Sequence, residues 1–376
     1  MERIKAFLKK EPMLAVSLAA ALLSLFITPP SRALLTSIDW KTLATLFMLL
    51  SVLDGFKEED LFRPVIRLAG RLHRQTVLTL FLVFAVFFSS MFVTNDVSLI
   101  IFVPLTLILF KNGGKEHYLL PVLALENIAA VRGSLLTPFG SPQNLFLFAK
   151  SGMSAAEFMG MMLPLWGMSI VLLVLFVFGL YRKNPKEEIA AAGEADAGAW
   201  DPARRGKRIL YLALFAVIVL CIVSRTEHWL AVTLAVTAAL LAFDRRVFRR
   251  VDYVLLLTFL CFFIFSSSIS SHPGISEFLH RHVAGQEYWW SLGLSQIISN
   301  VPASIVLWPF TEDLKALIYG LDTAGLISVI GSLASVINMR IYLREYPGQT
   351  LRFMVTFEKV CLLFFALVVI PQWLML

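Results

Sequence analysis

Two short polar clusters interrupt apolar stretches of the chain. The first is Thr94-Asn95-Asp96, inside FFSSMFVTNDVSLIIFVPLT, and the second is Ser299-Asn300, inside SQIISNVPASIVLWPFT. Hydroxyl and amide groups can hold an anionic or polar solute, and a carboxylate within a membrane usually binds a proton or a small cation. The residue types therefore point to a binding site inside a membrane.

The two clusters align as copies of one another. With Asn95 set on Asn300, further identities pair Ser90 with Ser295, Ile100 with Ile305, Pro104 with Pro309, and Thr106 with Thr311. A single Ser, Thr or Asn often does no more than hold two transmembrane helices together. The repetition favours two halves of one site, in which both asparagines contact the solute and the coupling ion.

Asp96 is the residue that breaks this symmetry, because Val301 stands at the matching position. A carboxylate near the bilayer centre costs about 2.5 to 3.5 kcal/mol on insertion scales, so it is kept for a reason. We predict that Asp96 binds the coupling ion. The alternative is that it caps a helix through backbone N–H groups.

Two further interruptions follow the clusters in sequence. One is TPFGSPQN, in which Pro and Gly cannot continue an ordinary helix, and the other is GSLAS. Irregular backbone at membrane depth is tolerated only inside the protein or beside a watery cavity. We therefore predict that these breaks line the site through Gly140, Ser141, Gln143, Asn144, Gly331, Ser332 and Ser335.

Arg132 is a second charge within an apolar segment, just before the first break. It could bind an anionic solute, or it could neutralise Asp96 or Glu126. The sequence leaves both roles open.

Composition places the chain among polytopic membrane proteins. Of its 376 residues, 58% are hydrophobic and 16% charged, and the mean hydropathy is +0.77. The net charge of +7 comes from Lys and Arg between apolar segments, so we expect no nucleic-acid partner. Cys221, Cys261 and Cys361 lack metal-ligand spacing, and no catalytic or nucleotide-binding motif occurs, so we expect no metal site, cofactor or enzyme.

The pattern predicts an all-α polytopic fold with about nine full spans and two re-entrant hairpins. Residues 1–182 and 209–376 would form two inverted repeats, each with one hairpin and one broken helix, joined by a solvated linker at residues 183–208. The basic start MERIKAFLKK would precede an uncleaved first span. By the positive-inside rule, the N-terminus and linker are cytoplasmic and the C-terminus external, in a bacterial inner membrane.

Four segments, TNDVSLIIFVPL, LLTPFGSPQNLFLF, SQIISNVPASIVLWPF and GSLAS, together resemble the ion transporter superfamily. That group includes arsenite permeases, citrate transporters and divalent-anion:sodium symporters. In the symporters each hairpin tip carries Ser-Asn-Thr, which binds substrate carboxylate and flanks sodium; here Asp96 and Val301 replace the threonines, and Thr-Asn-Asp is more similar to arsenite permeases. The resemblance implies a rigid scaffold, a moving transport domain and a homodimer.

These features predict a secondary transporter that moves a small anionic solute, a carboxylate or an oxyanion such as arsenite, by alternating access. Protons or Na⁺ would drive it. The alternatives are a sodium/proton antiporter of the same superfamily, in which Asp96 is itself the exchange site, and a passive channel.

Overall fold

The computed structural model describes residues 11–189 and 201–376, which fold into α-helices joined by turns and short 3-10 segments. The predicted basic start and the AAAGEADAGAW stretch of the linker lie outside the described residues. Before the linker the helices are α1 (Pro12–Ile27), α2 (Arg32–Ser37), α3 (Trp40–Glu58), α4 (Arg63–Ala69), α5 (Gln75–Val93), α6 (Asn95–Asn112), α7 (Glu116–Gly133), α8 (Pro142–Ser151) and α9 (Ala155–Leu180). After it they are α10 (Arg205–Val223), α11 (Trp229–Asp244), α12 (Tyr253–Ser271), α13 (Pro273–Val283), α14 (Glu287–Ile298), α15 (Asn300–Leu307), α16 (Leu314–Ala324), α17 (Leu333–Glu345) and α18 (Thr350–Leu374).

Among the described residues, six helices are long and apolar enough to cross a membrane: α5, α6, α9, α10, α12 and α18. A shorter apolar helix covers Met13–Ile27. The prediction of an all-α, multi-pass membrane protein is confirmed.

Helices α5 and α6 form a long hairpin that turns at Thr94. Its two ends meet at one segment, because the N–H of Gln75 donates to the carbonyl of Glu187 at 3.0 Å and Lys115 pairs with the carboxylate of Glu187 at 2.5 Å. Both limbs therefore begin and end on the same side of the molecule.

Helices α14 and α15 form a second hairpin, which turns at Ser299. The carboxylate of Glu287, at the start of α14, accepts from the N–H groups of Glu312 and Asp313 at 3.0 and 3.1 Å, so these ends also meet. Its limbs have 12 and 8 helical residues, against 19 and 18 in the first hairpin. At about 1.5 Å per residue, the second hairpin is much shorter.

Both hairpin tips have the same unusual backbone conformation. Thr94 has φ 72° and ψ 157°, and Ser299 has φ 68° and ψ 159°. This region is populated almost only by glycine and costs a side-chain-bearing residue about 1 to 3 kcal/mol. The surrounding packing holds two hydroxyl residues there.

The two predicted breaks are present in the described chain, between α7 and α8 and between α16 and α17. In each break a glycine passes close to the carbonyl that ends the preceding helix. A Cβ on Gly140 would lie 2.3 Å from the oxygen of Ser134, and a Cβ on Gly331 would lie 2.3 Å from the oxygen of Ala324. Only glycine fits at these positions.

Each break is hydrogen-bonded to the hairpin of its own half. The hydroxyl of Thr137 donates to the carbonyl of Met91, and the hydroxyl of Ser328 donates to the side-chain carbonyl of Gln296 at 2.7 Å. The two contacts occupy matching positions when Asn95 is set on Asn300 and Gly140 on Gly331. The same local architecture therefore occurs twice.

The halves are not separate globular units. Within residues 11–189 and 201–376 there are two hydrophobic cores, and each contains residues from before and after the linker. Helix α1 packs along α12, and α3 packs against α10 and α11. The polar breaks are thereby enclosed between apolar helices.

Candidate functional site

A cavity of about 420 Å³ lies between the wall helix α3 and the tip of the first hairpin. Thr94 and Asp96 come from the tip, Ser141 from the first break, and Leu333 from the start of α17. The remaining lining residues are Leu46, Leu49, Leu50, Leu53, Asp54, Lys57, Val97, Ile100, Phe139, Pro142, Leu145, Arg250, Asp252, Leu255 and Ile337. The cavity thus has an apolar wall and a polar floor.

Three helices begin at the floor of this cavity: α6 at Asn95, α8 at Pro142 and α17 at Leu333. A fourth, α12, begins at the exposed lining residue Asp252, whose carboxylate caps it. Helix N-termini carry unpaired N–H groups and a partial positive charge, which together attract anions. Ser141 caps α8 by accepting from the N–H of Asn144 at 3.4 Å, whereas the N-cap side chains of α6 and α17 make no capping hydrogen bond. The floor of the cavity is therefore suited to a small anion.

Asp96 lies in the first turn of α6, and its Oδ1 is buried without a hydrogen-bond partner in the described part of the chain. The N–H of Asp96 is bonded instead to the side-chain oxygen of Asn95, at 2.9 Å. Asp96 therefore does not cap the helix, so the alternative that it binds backbone N–H groups is wrong. Its carboxylate interacts electrostatically with Asp252, an exposed residue of the same cavity.

Charged residues surround one end of the cavity, where Lys57 and Arg250 are exposed. Arg250 bonds to Asp54 at 2.6 Å, and its guanidinium also lies 3.8 Å from Glu58. Both acids are on α3, whereas Arg250 precedes α12. This ion-pair group marks the mouth.

Arg132, at the end of α7, is fully buried and does not line the cavity. It donates to the hydroxyls of Ser169 and Thr323, at 2.9 and 3.1 Å. Neither Asp96 nor Glu126 is among its hydrogen-bond partners within the described ranges; Glu126 accepts from the hydroxyl of Thr106. The carboxylate that interacts electrostatically with Arg132 belongs to Asp322.

Asp322 is the residue that sequence reasoning missed. It is 1% exposed, and its Oδ1 accepts from the amide of Gln143 at 2.9 Å, while its Oδ2 has no partner among the described residues. The side-chain amide of Asn144 lies near this carboxylate and has no hydrogen-bond partner among the described residues. The acid of one half therefore lies at the start of α8 in the other half, near Arg132.

The signal for Asp322 was present in the sequence. It is an acid in the apolar run LIYGLDTAG, directly before the second break, and the rule that singled out Asp96 applies to it equally. The structure places it near the end of α16, one residue from Thr323.

The predicted residues of the second half are buried outside the cavity lining. The hydroxyl of Ser299 contacts the side chain of Asn300, which donates to the carbonyl of Leu321 at 3.4 Å. Ser335 accepts from Asn127 of the first half at 3.0 Å, and Ser332 is 1% exposed. Of the predicted site residues, Thr94, Asp96 and Ser141 line the cavity; the list of those that do not is Asn95, Arg132, Gly140, Gln143, Asn144, Ser299, Asn300, Gly331, Ser332 and Ser335.

Comparison with known proteins identifies the family of the chain. Residues 5–331 match the family model described as "Citrate transporter". The chain is 32% identical over 327 residues to the inner membrane protein YbiR of Escherichia coli, covering 85% of this chain and 84% of that protein. It is 29% identical over 331 residues to an uncharacterized transporter of Methanocaldococcus jannaschii, covering 88% of each. The predicted superfamily is confirmed, and the chain belongs to the citrate transporter family.

Proposed function

We propose that the protein is a secondary transporter that moves a small carboxylate or oxyanion by alternating access, coupled to protons or Na⁺. The observation that carries this proposal is the meeting of three helix N-termini, α6, α8 and α17, at one cavity floor. In a low-dielectric cavity these ends stabilise a negative charge without any cationic side chain in contact with it. A solute held in this way can still leave, which transport requires.

The cavity suggests a role for each floor residue. Thr94 and Ser141 would donate their hydroxyls to the solute, and Asp96 would bind the coupling proton or cation beside it. Asn95 and Asn300 would fix the two hairpin tips, together with Ser299 and the second break. Arg132 would balance the buried charge of Asp322 of the other half, with which it interacts electrostatically.

The paired hairpins support an inverted-repeat architecture with the domain limits 1–182 and 209–376. Matching tips, matching glycines and matching hydroxyl contacts are expected of two copies of one unit. The mouth carries Lys57 and Arg250 from basic segments, so the positive-inside rule places it in the cytoplasm. The structure would then be the inward-facing state of a homodimeric inner-membrane protein, with the N-terminus and linker inside and the C-terminus outside.

The test is uptake into proteoliposomes. A thermal-shift screen of purified protein against citrate, succinate, arsenite and sulfate first identifies a stabilising solute, since a ligand of the folded state raises stability with concentration. Uptake of that solute is then measured with and without an imposed pH or Na⁺ gradient. We expect Asp96→Asn to abolish gradient-driven uptake while solute exchange without a gradient remains.

Val301→Ala is the matched control, because it changes the same position of the other tip outside the cavity lining. It should retain gradient-driven uptake. Unchanged gradient dependence in Asp96→Asn would overturn the coupling role. If the wild type shows no saturable uptake of any of these solutes, the proposal of an anion transporter is wrong.

One observation favours a second function, a sodium/proton antiporter. Asp96 has an unpartnered oxygen and interacts with a second carboxylate, Asp252, in the same cavity. Two carboxylates at one site can exchange a cation for protons. Proton movement on addition of Na⁺ alone, without organic or oxyanionic solute, and its loss in Asp96→Asn would support this function over anion transport.

A further inference from the structure

A second cavity, of about 350 Å³, lies on the short helix α4 and involves no residue of the candidate transport site. Its lining consists of Arg63, Pro64, Arg67, Leu68 and Arg71. The three arginines recur at every fourth position, and Pro64 and Leu68 follow the same spacing, so all five project from one face of the helix. We call this face the arginine face.

The opposite face of α4 is anchored in the protein. Val65 and Ile66 pack against the hydrophobic core, and Ala69 is 1% exposed. The turn continues beyond the helix, since the N–H of Leu72 donates to the carbonyl of Ala69 at 3.1 Å. This packing fixes the orientation of the arginine face, so the cavity is a feature of the fold.

The position of α4 places the arginine face at a membrane surface. The chain reaches α4 from the end of α3, beside the mouth of the transport cavity, and leaves it into α5, which is long and apolar enough to span the bilayer. Leu68, in the middle of the arginine face, is 49% exposed. An apolar residue beside arginines is the composition of a surface that lies in the lipid headgroup region.

We propose that the arginine face binds the phosphate of an anionic phospholipid. Guanidinium groups bind phosphate oxygens in pairs of parallel hydrogen bonds, and three of them around one cavity can enclose a single headgroup. Pro64 and Leu68 contact the glycerol backbone and the first acyl carbons. This apolar part of the lining is what assigns the site to a lipid and not to a soluble phosphate.

A bound lipid would act on the junction between the cavity wall and the first hairpin, because α4 connects α3 to α5. The headgroup would hold α4 at the bilayer surface. Each arginine near a membrane surface contributes about 1 kcal/mol of attraction to anionic lipid, which is about a five-fold change in affinity. Loss of all three should weaken binding by more than about ten-fold even if the contributions are not additive.

The experiment uses the purified full-length protein in neutral detergent. Thermal unfolding is followed during titration with phosphatidylglycerol, with phosphatidylcholine of the same acyl chains, and with glycerol phosphate. We expect phosphatidylglycerol to raise the unfolding temperature of the wild type, and the other two to have little effect. In the triple variant Arg63→Gln, Arg67→Gln, Arg71→Gln, the half-effect concentration should rise more than about ten-fold.

The chain offers a matched control in Arg245, Arg246 and Arg249, which are exposed near the same end of α3 and do not line this cavity. Their triple Gln variant should respond to phosphatidylglycerol like the wild type. Equal weakening in both triple variants would reveal general surface attraction and overturn the site. Full stabilisation by glycerol phosphate, or by phosphatidylcholine, would overturn the assignment to an anionic lipid.

The Gln variant could fail to fold, and a second measurement covers that outcome. A photoreactive phosphatidylglycerol is cross-linked to the wild-type protein, and the labelled peptide is identified after digestion. Labelling of the peptide that contains residues 63–71, and its loss on competition with unlabelled phosphatidylglycerol, would support the proposal. Labelling elsewhere without labelling of this peptide would contradict it.

Discussion

The two hairpin tips have one backbone and two environments. Thr94 and Ser299 share the same rare conformation, and each is followed by an asparagine that begins a helix. At the first tip the next residue is Asp96, which lines the cavity and has an unpartnered oxygen within the described chain. At the second it is Val301, which is 7% exposed and belongs to the hydrophobic core.

The difference shows how a duplicated unit can serve two purposes. The backbone of each tip, its glycine-containing break and its hydroxyl contact are common to both halves, so they are requirements of the architecture. The side chain after the asparagine is not shared, and it decides whether the tip is open to the cavity or sealed in the core. If this division is correct, substitutions in the shared backbone should act alike in both halves, and substitutions of the individual side chains should not.

The largest effect is expected at Arg132 and Asp322, two buried charges, one from each half, that interact electrostatically. Arg132→Gln or Asp322→Asn leaves the other charge buried without compensation, which costs about 3 kcal/mol or more. The double variant should be more stable than the two losses together predict, because both charges are gone. Unfolding of the four proteins in mixed detergent micelles measures this coupling.

This double-mutant cycle also decides whether Arg132 binds the solute or neutralises a buried acid, the two roles that the sequence left open. A coupling energy below about 0.5 kcal/mol would mean that the two side chains act independently. If Arg132→Gln unfolds like the wild type and loses only solute binding, the arginine is a solute ligand. Arg132 and Asp322 would then not stabilise the interface between the two halves.

The glycines of the breaks should give equal effects in the two halves. A methyl group at Gly140 or Gly331 would meet a backbone oxygen at 2.3 Å, and relief of that collision requires movement of the helix end. We expect Gly140→Ala and Gly331→Ala each to lower the free energy of unfolding by about 1 to 3 kcal/mol. Folded yield and unfolding temperature, measured by size-exclusion chromatography with tryptophan fluorescence, report the loss.

Gly160→Ala is the control for this pair, because Gly160 lies within helix α9 and, apart from the neighbouring backbone of that helix, no atom lies within 4 Å of its would-be Cβ. It should be neutral or slightly stabilising, since alanine is the better helix former. A loss at Gly140 without one at Gly331 would show that the second break is not built like the first.

The tips should respond alike in stability and differently in function. Glycine accepts the backbone conformation of Thr94 and Ser299 without strain. Thr94→Gly and Ser299→Gly should therefore each raise the free energy of unfolding by about 0.5 to 1 kcal/mol. Thr94→Gly also removes a hydroxyl from the cavity and should weaken solute binding, measured by thermal shift. Equal loss of solute binding in Ser299→Gly would place both tips in the solute site.

The sequence was sufficient to predict the hairpin tips and the helix breaks, because these depend on local backbone polarity. Asn95 and Asn300, with Gly140 and Gly331, stand out because polar and helix-breaking residues are costly within apolar segments, and the structure places them at tips and breaks. The membrane class follows from composition for the same reason. These features are local, so one sequence reveals them.

The sequence was insufficient for contacts made across the halves. The sequence offers Asp96 and Glu126 as acids that Arg132 could neutralise, whereas in the structure Arg132 bonds to Thr323 and interacts electrostatically with Asp322, both on a helix of the other half. Which of two equivalent tips faces an open cavity also depends on how α3 packs against the first hairpin. Long-range packing of this kind leaves no periodic signal in the chain.

The smallest expected effect is at the hairpin bases, where the two halves use a glutamate differently. Glu287 bonds to two backbone N–H groups, whereas the carboxylate of Glu187 pairs with Lys115.

The hydrogen bond from Lys115 lowers the pKa of Glu187 below its usual value. The pair therefore stabilises the folded protein above the ordinary glutamate pKa, and this stabilisation is lost as the pH falls through the lowered pKa. The contribution is below about 1 kcal/mol because the pair is partly exposed to solvent. Glu187→Gln should therefore lower the unfolding temperature slightly at pH 7, and this difference should disappear as the pH falls through the lowered pKa. No difference at pH 7 would mean that Glu187 holds the first hairpin through its backbone contact with Gln75 and not through its charge, because the variant keeps that backbone carbonyl.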